Sequence, residues 1–150
     1  LGLLRTGKKN RAAVVASIDH YALVADDDPL IRMDAQAILA GAGFRVHAAA
    51  SAEEALQILD RHGPAIRLLF TDVQMPPGPL TGFDLAWRCA ETWPQIGILV
   101  ASGAVPPEPG DIPEQAVFLP KPFSEDLVRN HLKAILSDSQ GPQDRQTSLS

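Results

Sequence analysis

The sequence predicts an α/β domain: a parallel sheet of five strands joined by helical crossovers, with helices on both faces. Two observations carry this. Short, almost continuously apolar runs alternate with segments patterned at the helical period, as expected of strands buried on both sides. Acidic residues stand just after the first and third apolar runs, and in open parallel sheets ligands bind beyond the carboxyl ends of the strands.

The elements follow in order. "YALVA" (21–25) reads as a buried strand. Asp28 and Pro29 suit the N-cap and first turn of a helix whose apolar stripe is Ile31, Ala35, Ile38, Leu39 and Ala42, ended by Gly41 and Gly43. "FRVHAA" (44–49) is the second strand. Ser51 and Glu54 form a capping box for a helix carrying Ala55, Leu56, Ile58 and Leu59. "IRLLFT" (66–71) is the third strand, and a helix over 82–92 turns Phe83, Leu85, Ala86 and Cys89 inward. "IGILVA" (96–101) and "AVFLP" (116–120) are the fourth and fifth strands. Between them lies "SGAVPPEPGDIPEQ", whose prolines rule out a long regular helix, so the fourth crossover is expected to hold only a short or irregular fourth helix. Ser124 caps a last helix with Leu127, Val128, His131, Leu132 and Ile135.

The 150 residues are expected to divide into a basic N-terminal tail (1–19), one domain (20–137) and a polar C-terminal tail (138–150) whose composition predicts disorder. A net charge of −5 argues against nonspecific nucleic-acid binding. The lone Cys89 allows no intramolecular disulfide and reads as a small buried hydrophobe. No apolar run approaches the roughly 20 residues of a membrane span. A cytoplasmic protein is therefore expected.

The strand ends hold the chemistry. Asp26, Asp27 and Asp28 follow the first strand, Asp72 the third, Ser102 the fourth, and Lys121 with Pro122 the fifth. The topology gathers them at one edge. Carboxylates sharing a pocket repel, and a divalent cation relieves the repulsion; an all-oxygen set suits Mg²⁺. With a lysine and a hydroxyl added, Asp72 has the surroundings of a phosphoryl acceptor.

"LVADDDPLIR", "LLFTDVQMP", "ILVASG" and "FLPKPF", in that order, resemble the receiver domains of two-component response regulators, over about residues 20–137. The resemblance implies a flavodoxin-like fold with strand order 2-1-3-4-5. It implies that Asp72 is the phosphoacceptor, and that Asp26, Asp27, Asp72 and the backbone carbonyl of Gln74 hold Mg²⁺. Ser102 and Lys121 would bind the phosphoryl group, and the Lys121–Pro122 bond would be cis. Phe118 would be the aromatic switch, although a strand Phe is as readily core. Gly103 would leave access for a phosphodonor, and Gln74 and Ala104 would tune phosphate lifetime.

Two departures from the family pattern stand out. The loop "MPPGPLTGFDL" is longer than usual, and the Ser102–Lys121 interval is shorter and proline-rich. The family's usual output face is therefore expected to be altered.

The implied partners are a sensor histidine kinase or a histidine phosphotransferase, with a downstream protein target. No DNA-binding or other effector domain is expected in the tail. A phosphate sink or shuttle and a receiver from a hybrid kinase are both compatible. Two other functions compete: an unphosphorylated docking module, and a haloacid-dehalogenase-type phosphatase using Asp26 and Asp28. The histidines show no ligand spacing, Trp87 and Trp93 are expected in the core in preference to partner contacts, and the basic tail is expected to be simply solvated.

Overall fold

Successive strand residues point to opposite faces of a sheet, and each face of this one meets a different pair of helices. The strands are β1 (Tyr21–Ala25), β2 (Arg45–Ala49), β3 (Ile66–Asp72), β4 (Gly97–Ser102) and β5 (Val117–Pro120). The helices are α1 (Pro29–Gly41), α2 (Ala52–His62), α3 (Gly82–Thr92) and α4 (Glu125–Gln140). The structure is a computed structural model that describes residues 20–104 and 106–140. The tail expected over 1–19 and everything past Gln140 lie outside the described residues.

All strand pairs are parallel and the order is β2-β1-β3-β4-β5, the flavodoxin-like arrangement. On one face, Leu23, Leu69, Ile98 and Val100 pack against Ala55 and Leu59 of α2 and Leu85 and Cys89 of α3. On the other, Val24, Leu68, Phe70 and Leu99 pack against Ile38 and Leu39 of α1 and Val128, Leu132 and Ile135 of α4. Burial of Cys89 pushes its thiol up to about 12, so it stays protonated and inert.

Capping fixes where helices begin. The Asp28 carboxylate accepts from the Leu30 and Ile31 N–H groups at 2.9 and 3.4 Å. Ser51 Oγ accepts from Glu54 N–H at 3.0 Å, but Glu54 returns its bond to the N–H of Ala50, one residue before the cap. A reciprocal capping box not expected from the sequence, Thr81 with Asp84, opens α3. Ser124 Oγ accepts from Leu127 N–H at 3.1 Å. Gly43, at φ 104, takes the left-handed turn after α1 that a side chain would resist.

Several bounds shift. β3 and β4 each reach one residue further than expected, so Asp72 and Ser102 are the last residues of their strands, still in register with Ala101 and Pro120. β2 starts after Phe44, β5 after Ala116, and α4 runs past the expected domain end at 137 to Gln140.

The expected short or irregular fourth helix does not form: the fourth crossover carries no helix among the described residues. Pro106, Pro107, Pro109 and Pro113 lack N–H donors and bias the residues before them away from helix. Ile112 and Ala116 cover the core there instead. Trp93 packs on the core against Gly63. Trp87 does not follow the expectation of burial: it is 39% exposed, and its indole N–H donates to the Asp111 carbonyl at 3.1 Å.

The sheet's far edge carries a stacked set: Tyr21 on His47 (5.7 Å between ring centroids) and His47 on His62 (4.8 Å). Arg45 adds a cation over Tyr21 and donates to its hydroxyl. Burial, and secondarily the charge on His62, hold His47 below the usual histidine pKa. A lowered folded-state value means that the unfolded chain takes up the proton first. Stability should therefore fall as pH drops below about 6.5 and level off below the folded value. Urea titrations between pH 7.5 and 5 should show that slope, flattened in His47→Gln. An unchanged slope would remove His47 as its source.

Candidate functional site

The carboxyl edge of the sheet brings the expected residues together. Asp26 leaves β1 with its side chain under the surface, 1% exposed, while Asp27 next to it faces solvent. Asp72, at the end of β3, is 8% exposed. One carboxylate oxygen from each of the three lies within 4.8 Å of the others. Lys121 reaches in from the end of β5 and divides its ammonium between Asp72 Oδ1 at 3.0 Å and Asp26 Oδ2 at 3.1 Å. The Lys121–Pro122 bond is cis.

The electrostatics follow from this crowding. Burial raises the Asp72 pKa above the usual carboxylate range, and the charge of Asp26 adds to the rise; the Lys121 bond opposes it without cancelling it. Burial alone would lower Lys121, but its bonds to Asp72 and Asp26 outweigh that and hold its pKa above the usual lysine value. One ammonium thus serves two buried carboxylates while a third stands beside them. An oxygen-only cluster with excess negative charge fits a small hard cation, and Mg²⁺ fits these residues.

The local backbone explains the delivery. Thr71 Oγ1 donates to the Asp72 carbonyl at 2.8 Å, and Gly82 N–H donates to the Val73 carbonyl at 2.6 Å. The start of α3 therefore lies directly behind the strand end. A Cβ on Gly82 would run into the Asp72 carbonyl oxygen and come within 2.9 Å of Val73 Cα. Gly82→Ala should cost about 1–3 kcal/mol, as overpacking does, and slow any reaction at Asp72. Urea denaturation and a rate assay test the two effects, and a silent substitution would show that the contact yields easily.

The loop behind Asp72 is pinned by Met75, 2% exposed in the α2–α3 core. Glu53 on α2 accepts from the Leu80 N–H at 3.4 Å and lies close over Gly78. Gln74 is exposed on this loop. Ser102 is 6% exposed, and its Oγ accepts from Ala104 N–H at 3.0 Å. Gly103 and Ala104 are exposed at the rim; a Cβ on Gly103 would sit 3.9 Å from Lys121 Cβ, an ordinary contact. Phe118 is half-buried on the edge strand and, among the described residues, belongs to neither apolar cluster.

Two residues were not singled out from the sequence: Glu53, and Arg32 in the first turns of α1, whose Nη1 donates to the Asp26 backbone carbonyl at 2.8 Å. The signal for Arg32 was its position, since a cation near a helix N-terminus opposes the helix dipole and needs a partner.

A sequence profile of the response regulator receiver domain matches residues 22–133. The chain belongs to the response regulator receiver family. By family it is a signalling module rather than a catalytic enzyme. It is 33% identical over 132 residues to the sensor kinase CckA of Brucella abortus (strain 2308); the match covers 86% of this chain and 14% of that kinase. The chain thus spans a small part of the relative's length. Among solved structures, the receiver domain of the hybrid histidine kinase CckA is 28% identical with a TM-score of 0.66, covering 77% of this chain and 98% of that one. A response regulator receiver protein from Sinorhizobium medicae WSM419 is 28% identical with a TM-score of 0.73, covering 79% and 95%. Among the described residues, no helix is long and apolar enough to cross a membrane.

Proposed function

We propose that this receiver takes a phosphoryl group from a phosphohistidine onto Asp72, in a Mg²⁺-dependent step of a phosphorelay. The observation that supports it most is the convergence of Asp26, Asp27 and Asp72 on one point, with Lys121 bonded to two of them. An Asp72 carboxylate oxygen attacks phosphorus, the P–N bond to the donor histidine breaks, and an acyl phosphate forms while the imidazole leaves and is reprotonated. Asp26, Asp27, Asp72 and the Gln74 carbonyl would hold Mg²⁺. When bound, the ion neutralises charge on the transferring phosphoryl oxygens.

The chain's own residues do the positioning. The buried Asp72 is held at the strand end by Lys121. Lys121 stands ready to exchange its carboxylate partner for a phosphoryl oxygen. Ser102 would turn its hydroxyl from Ala104 towards that oxygen and so couple the site to the fourth crossover. Phe118, half-buried on the edge strand, would follow. Gly103 leaves the rim open to the donor, while Gln74 and Ala104 would set how readily water reaches the acyl phosphate.

The likeness to CckA supports a histidine kinase or phosphotransferase as donor, and a cytoplasmic setting follows from such a donor. The phosphatase alternative is weakened by Asp28, whose carboxylate is spent capping α1.

Incubation with acetyl phosphate and Mg²⁺, followed by intact mass, should show one added phosphoryl group. No addition, with Mg²⁺ and beryllofluoride also leaving the protein unchanged, would favour the docking module. Continuous turnover of a small phosphate ester would favour the phosphatase.

A further inference from the structure

We propose that Arg32 is the positioning residue for the exposed metal ligand Asp27. The argument starts from what holds each carboxylate. Asp26 is fixed on every side: its N–H donates to the Ala49 carbonyl at 3.1 Å, its Oδ1 accepts from Asp28 N–H at 2.9 Å, and its Oδ2 accepts from Lys121. Among the described residues, no hydrogen bond or ion pair involves the Asp27 side chain. Its place is therefore set by the two peptides that flank it.

The peptide after Asp27 is held by the Asp26 side chain, through the Asp28 N–H. The peptide before it is held by Arg32, through the Asp26 carbonyl at 2.8 Å. Arg32 is itself placed by α1, its backbone N–H donating to the Asp28 carbonyl at 2.9 Å. The guanidinium thus closes a ring from the helix back to the end of β1. Without it, the Asp26–Asp27 peptide can rotate, and the Asp27 carboxylate swings away from Asp26 and Asp72.

Charge and geometry make opposite predictions, which makes the idea testable. As a nearby cation, Arg32 repels Mg²⁺, so its removal would tighten binding. As a positioning residue, it favours Mg²⁺, so its removal weakens binding. Groups behind a metal ligand typically matter about 10–100-fold in affinity. We expect the lower end here, since one ligand is affected.

This inference rests on the reading of Asp26 and Asp27 as Mg²⁺ ligands, and the experiment separates the two. Mg²⁺ is titrated calorimetrically into wild type, Arg32→Ala, Arg32→Lys, Asp27→Asn and the packing control Leu39→Val, with melting curves of each in Mg²⁺-free buffer. Arg32→Ala should weaken Mg²⁺ binding about tenfold. Arg32→Lys should recover part of this, and Leu39→Val should keep wild-type affinity although it melts lower. Equal or tighter binding by Arg32→Ala overturns the role of Arg32 alone. So does a loss in Leu39→Val that matches its melting shift, because the effect would then be general destabilisation. A wild type that does not bind Mg²⁺, or an Asp27→Asn that binds as well as wild type, overturns the reading of the site and this inference with it.

Discussion

Asp72→Asn should take up no phosphoryl group from acetyl phosphate and Mg²⁺, and in Mg²⁺-free buffer it should melt a few degrees above wild type. The first effect follows because the amide cannot replace the carboxylate as nucleophile, and Asp26, the other buried carboxylate, is held by Asp28 N–H and Lys121. The second follows from the charge count: three carboxylates share the edge with one ammonium, and burial already pushes the Asp72 pKa up. Removing one negative charge relieves repulsion, and Lys121 keeps Asp26 as its partner. Mg²⁺ should reverse the order. A ligand bound only by the folded state at 100 times its Kd adds about 2.7 kcal/mol to stability, and the variant should gain much less. Intact mass and melting curves with and without Mg²⁺ check both. Labelling that persists in the variant would mean that another residue is the acceptor.

How much of this was legible in the sequence depends on what fixes each residue. Asp26, Asp27, Asp72, Ser102 and Lys121 could be placed together because they end strands of one parallel sheet, and topology alone brings strand ends to one edge. That no long regular helix could fill the fourth crossover was legible too, because prolines remove backbone donors locally; that no helix forms there among the described residues was not, since a short or irregular one was expected. Trp87 was not. Its spacing from Phe83 puts it on the inward side of α3, but the crossover beyond offers it a carbonyl rather than an apolar surface. Arg32 and Glu53 were missed for a related reason. Each reaches a backbone group, and a side chain bonding to backbone leaves no partner residue in the sequence to pair it with. The Thr81–Asp84 box was readable as a cap but was obscured by the proline-rich loop before it.

Lys121→Ala should separate accepting the phosphoryl group from responding to it. In the unmodified protein the ammonium holds Asp72 Oδ1 and Asp26 Oδ2, two of the carboxylates that would take up Mg²⁺, so removing it should tighten Mg²⁺ binding and leave some phosphorylation intact. It also leaves two buried carboxylates with no ammonium. Breaking a fully buried pair costs about 3–5 kcal/mol; with Lys121 partly exposed, about 2 kcal/mol is expected in Mg²⁺-free buffer. The pH dependence gives a separate signature. The raised pKa means that the ion pairs stabilise the fold fully below about 10.4, the usual lysine value, and lose that contribution as pH rises through the folded one. Wild type should show this alkaline loss and Lys121→Ala should not. After phosphorylation, Lys121, just past the end of the strand that carries Phe118, would supply the cation for a phosphoryl oxygen. Without it, the acyl phosphate forms but β5 has no charge drawing it inward. Amide hydrogen exchange over 97–121, measured with and without phosphorylation, should change in wild type and stay nearly flat in the variant. A wild-type exchange response in Lys121→Ala would assign the coupling to Ser102 alone.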